Sequence, residues 1–322
     1  MLSYKFVSLR DTLFFMKETK CYLCSSNNYR LMIIKSKYRI LRCNNCDFVF
    51  TTPIPNKENL DAFYSTFDYK DSSQAEKVIR LDARRSIQKI DQYAIKKEMV
   101  LDVGCGRGYF LDEARKLGWS TYGVDASRIA VDYATKQLNL DVFCSDIFYF
   151  QPGKSFDLIT LNQVIEHFSN PEIVISQCAK YLKSGGLMYV ATPNVESLSA
   201  RVLKDNFDHF IPPEHLSYFS QRTLQRLFEK LGFSVLYKGS WSYPSDIAGI
   251  IKTLLWKKSS LEESSRVIDR NRCELERGSN FHNSNIKQVK SFLFDQVFCR
   301  LFYKVLNFDS WGINLELLAT KL

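Results

Sequence analysis

No stretch of this chain approaches the roughly 18 consecutive apolar residues that mark a membrane-spanning helix, so no span is expected. Residues 1–20 hold one short apolar run, Leu13 to Met16, with Asp11 before it, and lack the continuous apolar region of a signal peptide. The expectation is a cytoplasmic protein, with Met16 as an alternative start. Internal repeats and low-complexity tracts are missing as well, which sets solenoids and arrays aside. No block of five or more Lys or Arg occurs, although the formal net charge is +9. The basic excess sits before Glu98 and after Ser240 and leaves the middle near neutral, which suits a phosphorylated substrate, an anionic lipid, nucleic acid or scattered surface lysines. Histidine is scarce, with 4 in 322 residues, so each can be weighed singly. What is present, 45% apolar and 25% charged residues, is an ordinary globular composition, long enough for one large domain and an accessory module.

Cysteine is plentiful by comparison, at 9, and four of the nine form two tight pairs: "CYLC", eighteen residues, then "CNNC". Pairs at this spacing each place two thiolates on one tetrahedral ion, so Cys21, Cys24, Cys43 and Cys46 read as a zinc site in a reducing compartment rather than as disulfides or unrelated cysteines. The segment "RLMIIKSKYRILRC" between them reads as two short strands with a turn around Ser36, as in a zinc ribbon. All four positions close the tetrahedron and leave none for water, which predicts a structural metal over residues 21–52. Pro53 and Pro55 then break the chain, and residues 53–98 read as a helical bridge.

From residue 99 short apolar runs alternate with amphipathic segments, the pattern of a parallel sheet flanked by helices. The predicted strands are "MVLDVG", "STYGVD", "DVFCSD", "FDLITLN" and "GLMYVAT". Between them "GYFLDEARKLG" is helical, and so is "PEIVISQCAKYLKSGG", with Pro in its first turn and Gly-Gly at its close. The fold class is doubly wound α/β, with ligands at the carboxyl ends of the strands. There stand Gly104, Gly106 and Gly108, spaced Gly-x-Gly-x-Gly rather than as in a dinucleotide fingerprint. Asp102 precedes them, and a carboxylate there suits an ammonium group better than a pyrophosphate. Asp125 and Asp146 end the next two strands. One such Asp reads as a helix cap; three in order do not.

This region, "LDVGCGRG" with "GVDAS" and "SDIF", resembles the class I S-adenosylmethionine-dependent methyltransferases over residues 99–240, with a last piece at the C-terminus. The resemblance implies a mostly parallel seven-stranded, Rossmann-like sheet and S-adenosylmethionine as cofactor. It places Asp102 near the cofactor's amino group, Gly104, Cys105, Gly106 and Gly108 along its methionine part, Asp125 and Ala126 at the ribose, and Asp146 and Ile147 at the adenine. "FDLITLNQVIEHFSNP" resembles the fourth motif of the small-molecule enzymes, with Asn162 beside the methyl group and Glu166-His167 at the mouth of the site. An Asn/Asp-Pro-Pro-aromatic signature is missing there, which argues against the amine-methylating class acting on nucleic acid. Quinone-modifying relatives carry Glu-x-x-Glu-His and use it for a divalent metal; Gln163 replaces the first Glu, so no catalytic metal is carried over. "ATPNVESLSARVL" and "PPEHLSYFSQRTLQRLFEKLGF" resemble a subgroup with N-terminal zinc-binding modules that includes sugar methyltransferases, in which a histidine corresponding to His215 is the base. A helix-capping role is its alternative. His209 and His282 are read as surface residues.

Residues 99–241 thus form the core, 242–311 a helical insert and 312–322 the last strand. The insert's segments "IAGIIKTLLWKK" and "SFLFDQVFCRLFYKVLNF" are amphipathic and read as packing on the parent domain or on a dimer mate, with membrane-surface contact second. The expectation is a methyltransferase that O- or C-methylates a small molecule, sugar-type or nucleotide-linked, through a histidine base: His215, with His167 and Glu166 beside it. The competing reading is an RNA- or protein-directed methyltransferase, or a cofactor-sensing binding protein, that grips its partner through the ribbon.

Overall fold

A computed structural model of the chain describes residues 19–56, 73–94, 96–242 and 311–322. Its first feature is the expected hairpin. Strand β1 (Tyr29–Lys35) pairs antiparallel with β2 (Tyr38–Cys43), and Ser36 turns between them in the left-handed region at φ 55°. A third strand follows, β3 (Val49–Thr52), antiparallel to β2, and it carries the buried Phe50.

Helix α1 (Ser73–Ile90) follows. Ala83, Ile87 and Ile90 recur at helical spacing on its buried face. Arg80 reaches Asp112 at 2.6 Å and Glu113 at 2.9 Å, and Arg85 reaches Glu316 at 3.0 Å, so the helix is tied to the core at two places. The rest of the predicted bridge, residues 57–72, lies outside the described residues.

The core is a seven-stranded, mixed and mostly parallel sheet flanked by helices. Its strands are β4 (Met99–Val103), β5 (Ser120–Asp125), β6 (Asp141–Cys144), β7 (Phe156–Asn162), β8 (Leu182–Pro193), β10 (Phe233–Trp241) and β11 (Asn314–Lys321), in the order β10-β11-β8-β7-β4-β5-β6. Strands β8, β7, β4, β5 and β6 run parallel. The chain leaves β4 toward β5 on one side and returns through β7 on the other, so the topological switch point lies between β4 and β7. Between strands run α2 (Tyr109–Lys116), α3 (Arg128–Leu138), α4 (Pro171–Tyr181) and, after α5 (Leu198–Leu203), α6 (Gln221–Lys230). Ser220 and Thr223 form a reciprocal capping box on α6, so that cap is not His215.

Helix α4 ends at Tyr181 rather than at Gly-Gly as predicted. Leu182 is already extended and pairs with Phe156, and Lys183 holds Asp157 at 2.9 Å and Glu98 at 3.0 Å.

The described residues up to Val195, with Asp208–Gly239 and Leu315–Leu322, form one compact unit, and Glu196–Phe207 with the described residues of Ser240–Asn314 form a second. In the second, Ser197 caps α5 and the Leu198 amide donates to the Trp311 carbonyl at 3.1 Å. The predicted insert and His282 lie outside the described residues, apart from the insert's ends at Ser242 and Trp311. Among the described residues no helix is long and apolar enough to cross a membrane.

Candidate active site

The glycine loop leaves β4 at the switch point. Gly104 has φ +67°, and a Cβ there would stand 2.6 Å from Val164 Cγ2, so the loop backbone lies against the segment that follows β7. Gly106, at φ +52°, has no atom within 4 Å of where a Cβ would sit; its amide donates to Asp125 Oδ2 at 2.8 Å. Cys105, between them, is buried with its sulfur turned toward Gly123. Asp125 Oδ1 accepts from the Ser127 amide at 2.8 Å, and Ser127 in turn caps α3, while Ala126 is exposed.

Asp102 lies beneath this loop, 2% exposed, with Oδ1 accepting from Thr160 Oγ1 at 2.6 Å and from Asn162 Nδ2 at 3.2 Å. Burial pushes its carboxyl up to about 7. Asp125 is raised too, by burial against the two amides it accepts from. Asp146 is exposed at the end of β6, where Oδ1 accepts from the Phe148 amide at 2.9 Å, and Ile147 beside it is buried. The residues expected to hold the cofactor therefore line the carboxyl ends of β4, β5, β6 and β7.

A second cluster adjoins the end of β7. A 3-10 turn, Ile165–His167, carries Glu166 and His167; His215 comes from the segment before the two-residue strand β9 (Ser217–Tyr218). Leu216 N–H donates to the Glu166 carbonyl at 2.8 Å and joins the two. One ligand-type atom from each of Glu166, His167 and His215 lies within 4.8 Å of the others. The rings of His167 and His215 meet edge to face at 5.1 Å.

Each imidazole is fixed by main chain. A carbonyl oxygen can only accept, so the 2.9 Å contact of His215 Nδ1 with the His209 carbonyl puts the proton on Nδ1 and leaves Nε2 with its lone pair. His167 Nδ1 likewise donates to the Glu214 carbonyl at 3.0 Å, and its ring has a second main-chain bond at Gln163. Burial, helped by the neighbouring His167 and His209, pulls His215 down to about 3. Glu166 is 1% exposed; Oε2 accepts from Thr192 Oγ1 at 2.9 Å, and Oε1 has no hydrogen-bond partner among the described residues. Burial pushes its carboxyl up to about 8, so it is protonated at neutral pH.

His209 was expected at the surface. Instead it is half-buried and stacks on His215, with ring centroids 5.9 Å apart and planes 6° from parallel.

The four cysteines converge as their spacing predicts. Cys21 and Cys46 sulfurs are 3.5 Å apart, Cys24 and Cys43 sulfurs are 3.5 Å apart, and all four lie within 4.8 Å of one another. Four thiolates at about 2.3 Å from one ion have edges of about 3.8 Å, which the four sulfurs approach closely enough to suit a tetrahedral metal. Glu166, His167 and His215 also bring one carboxyl and two imidazoles together, and Gln163 beside them adds only a neutral amide.

Comparison with known proteins decides the family. A profile described as "Methyltransferase domain" matches residues 75–238, about half of the chain. The protein belongs to this methyltransferase family. The methyltransferase is 36% identical over 109 residues to the ubiquinone biosynthesis O-methyltransferase of Coxiella burnetii (strain RSA 493 / Nine Mile phase I), a match covering 32% of this chain and 47% of that protein. It is 37% identical over 100 residues to the same-named protein of Bradyrhizobium sp. (strain ORS 278), covering 30% of this chain and 40% of that one. The match thus spans less than half the length of these relatives. A SAM dependent methyltransferase from Archaeoglobus fulgidus has the same fold, with TM-score 0.50 at 20% identity over 83% of this chain and 100% of that chain.

Sequence reading missed Thr160, Thr192 and Thr51, whose hydroxyls bind Asp102, Glu166 and the His215 carbonyl. Two threonines at adjacent strand ends carried a usable signal, since a buried carboxyl needs a donor. Thr51 carried none.

Proposed function

We propose that this methyltransferase moves the methyl group of S-adenosylmethionine to a hydroxyl of a small molecule with His215 as general base, and that a structural zinc closes the ribbon. The observation that carries the base assignment is the tautomer of His215: Nδ1–H is committed to the His209 carbonyl, which leaves Nε2 as the accepting nitrogen of a ring clustered with Glu166 and His167.

When bound, S-adenosylmethionine supplies an electrophilic methyl on a sulfonium, which needs little further activation. The chain's work is then to hold the acceptor in line and take its proton. The open space over Gly106 admits a ligand close to main chain. The Asp125 oxygens each accept one amide and keep a lone pair for the two ribose hydroxyls. Asp102, steadied by Thr160 and Asn162, would ionise against an ammonium group. Asp146 and Ile147 suit an adenine amino group and ring, and Asn162 the neighbourhood of the methyl.

Burial keeps His215 in its accepting form at neutral pH, and the proton it takes from the acceptor hydroxyl rests on Nε2 until it passes to water as the product leaves. His167, held at Glu214 and Gln163, orients the acceptor, and Glu166 stays a neutral acid. The relatives' names support a hydroxyl on a small molecule as acceptor; a sugar hydroxyl satisfies the same chemistry.

Calorimetry with S-adenosylmethionine tests the cofactor half: Asp125→Ala is expected to weaken binding at least about tenfold, as loss of two charge-assisted hydrogen bonds would. His215→Ala is expected to bind the cofactor normally and to lower turnover about a hundredfold. Unchanged affinity in the first, or full turnover in the second, removes the corresponding assignment.

A further inference from the structure

The ribbon and the His215 segment share a sheet. Strand β9 is the fourth strand of the ribbon, in the order β1-β2-β3-β9, with Val49 opposite Tyr218 and Phe50 opposite Ser217. Two residues do not make a strand alone; β9 exists because β3 offers its edge.

Thr51 is where the ties meet. Its amide donates to the Leu216 carbonyl at 2.9 Å, and its hydroxyl lies 3.1 Å from the His215 carbonyl. Tyr218 Oη reaches the same carbonyl at 2.9 Å and the Thr51 hydroxyl at 3.1 Å. The Thr51 carbonyl accepts from Tyr22 Oη at 2.9 Å, and Tyr22 stands between Cys21 and Cys24. On its other side the same segment is bound to the 3-10 turn and its end, through Leu216 N–H to Glu166 at 2.8 Å, Ser217 Oγ to the Phe168 carbonyl at 2.6 Å, and His167 to Glu214 at 3.0 Å. Residues 214–218 are therefore held between the ribbon and Glu166-His167. The amides of Gly104, Cys105 and Gly106 bond elsewhere, to Val124 and Asp125, and the loop meets the segment after β7 through the packing of Gly104 on Val164.

We infer that strand β3, through Thr51, is the positioning element for His215, so that metal in the four-cysteine ribbon governs turnover while the cofactor site stands apart from it. The inference rests on the reading of His215 as base. A ribbon whose knuckles depend on metal loosens when the metal leaves, and the first contact passed inward from the Cys21-Cys24 knuckle is Tyr22 to Thr51. Thr51 is a positioning residue: it acts on the His215 main chain and reaches no reacting atom.

The experiment compares Thr51→Val with Thr51→Ser at full metal occupancy. Thr51→Val, which keeps shape and loses the hydroxyl, is expected to lower turnover about fivefold to tenfold, the scale of one buried hydrogen bond. Acceptor KM and cofactor affinity are expected to stay within about twofold, and Thr51→Ser to restore turnover. In parallel, hydrogen exchange is followed by peptide mass spectrometry before and after a chelator removes the metal, and again after zinc is returned. Residues 208–219 are expected to exchange at least about tenfold faster without metal, residues 99–127 at their original rate, and zinc to reverse the change. Wild-type turnover in Thr51→Val, unaltered protection of 208–219, or equal loss of protection over 99–127 each overturns the inference. Full turnover in His215→Ala together with metal-dependent protection of 208–219 overturns the base assignment alone and leaves the positioning of the segment standing.

Discussion

Replacing Glu166 by Gln separates a neutral acid from a carboxylate at this position. The Glu166 carboxyl is enclosed, with one oxygen on Thr192 and the other without a partner among the described residues, and burial raises it from 4.5 to about 8. In the unfolded chain the group ionises near 4.5, so between that value and about 8 the folded state holds a proton that the unfolded state has released. The associated stability is fully present below the unfolded value and is lost as pH rises toward about 8, at about 1.4 kcal/mol per unit. From about pH 5 to about pH 8 the loss is about 3 kcal/mol. Gln has the shape of the neutral acid and no proton to lose. The other titrating groups are common to both proteins and cancel in the difference. Urea unfolding at three pH values is expected to show Glu166→Gln gaining on the wild type as pH rises, with turnover near neutrality within about threefold of wild type. Parallel stability curves, or a hundredfold loss of turnover in the Gln variant, would refute the reasoning and make Glu166 an ionised carboxylate in the working enzyme.

At saturating cofactor, wild-type turnover is expected to stay level down to about pH 5, because His215 is pulled to about 3 and remains the accepting form throughout. An imidazole at its ordinary value of 6.5 would instead cost about thirtyfold over that range, and such a fall would show that burial does not hold His215 low in the working enzyme. Elemental analysis of protein purified without chelator is expected to give about one zinc per chain, lost in Cys43→Ser, with S-adenosylmethionine binding retained. Metal-free protein from that preparation would remove the ribbon assignment.

What was legible in the sequence is what is local. Gly104, Gly106 and Gly108 follow a strand within five residues, Asp125 ends the next strand and Asp146 lies two residues past the one after, so chain order alone placed them at neighbouring strand ends. The cysteine knuckles were legible because paired cysteines at this spacing are what one tetrahedral ion requires, and the four sulfurs do come together. The acceptor side was only partly so. Resemblance singled out His167 and His215, and their meeting depends on main-chain bonds between residues 166 and 216 that no periodicity announces. His209 was misread because its burial comes from stacking on His215. The close of α4 was misread because Gly-Gly is a helix stop in general, while here the pairing of Leu182 with Phe156 and the Lys183 ion pairs stop the helix earlier.

His215, the proposed base, is held in an unusual way. Catalytic groups are most sharply positioned on helices and strands, yet residues 208–216 belong to neither. The His215 ring is fixed instead by substitutes for regular structure: a proton given to the His209 carbonyl, stacking on the His209 ring, and edge contact with His167. Its main chain is fixed by the amide donated to Ile211 at 3.3 Å and by the hydroxyls of Thr51 and Tyr218 on its carbonyl. Several of these contacts depend on one another, since His209 and His167 are themselves placed by the loops they brace. The bonds from Thr51 come from a sheet whose Leu41, Phe48 and Phe50 are buried in one apolar cluster with Ile159, Leu161 and Phe219, and so tie the loop to the core. A small four-cysteine ribbon beside a methyltransferase sheet then has a physical reason to be there: it gives the histidine segment an edge to pair with.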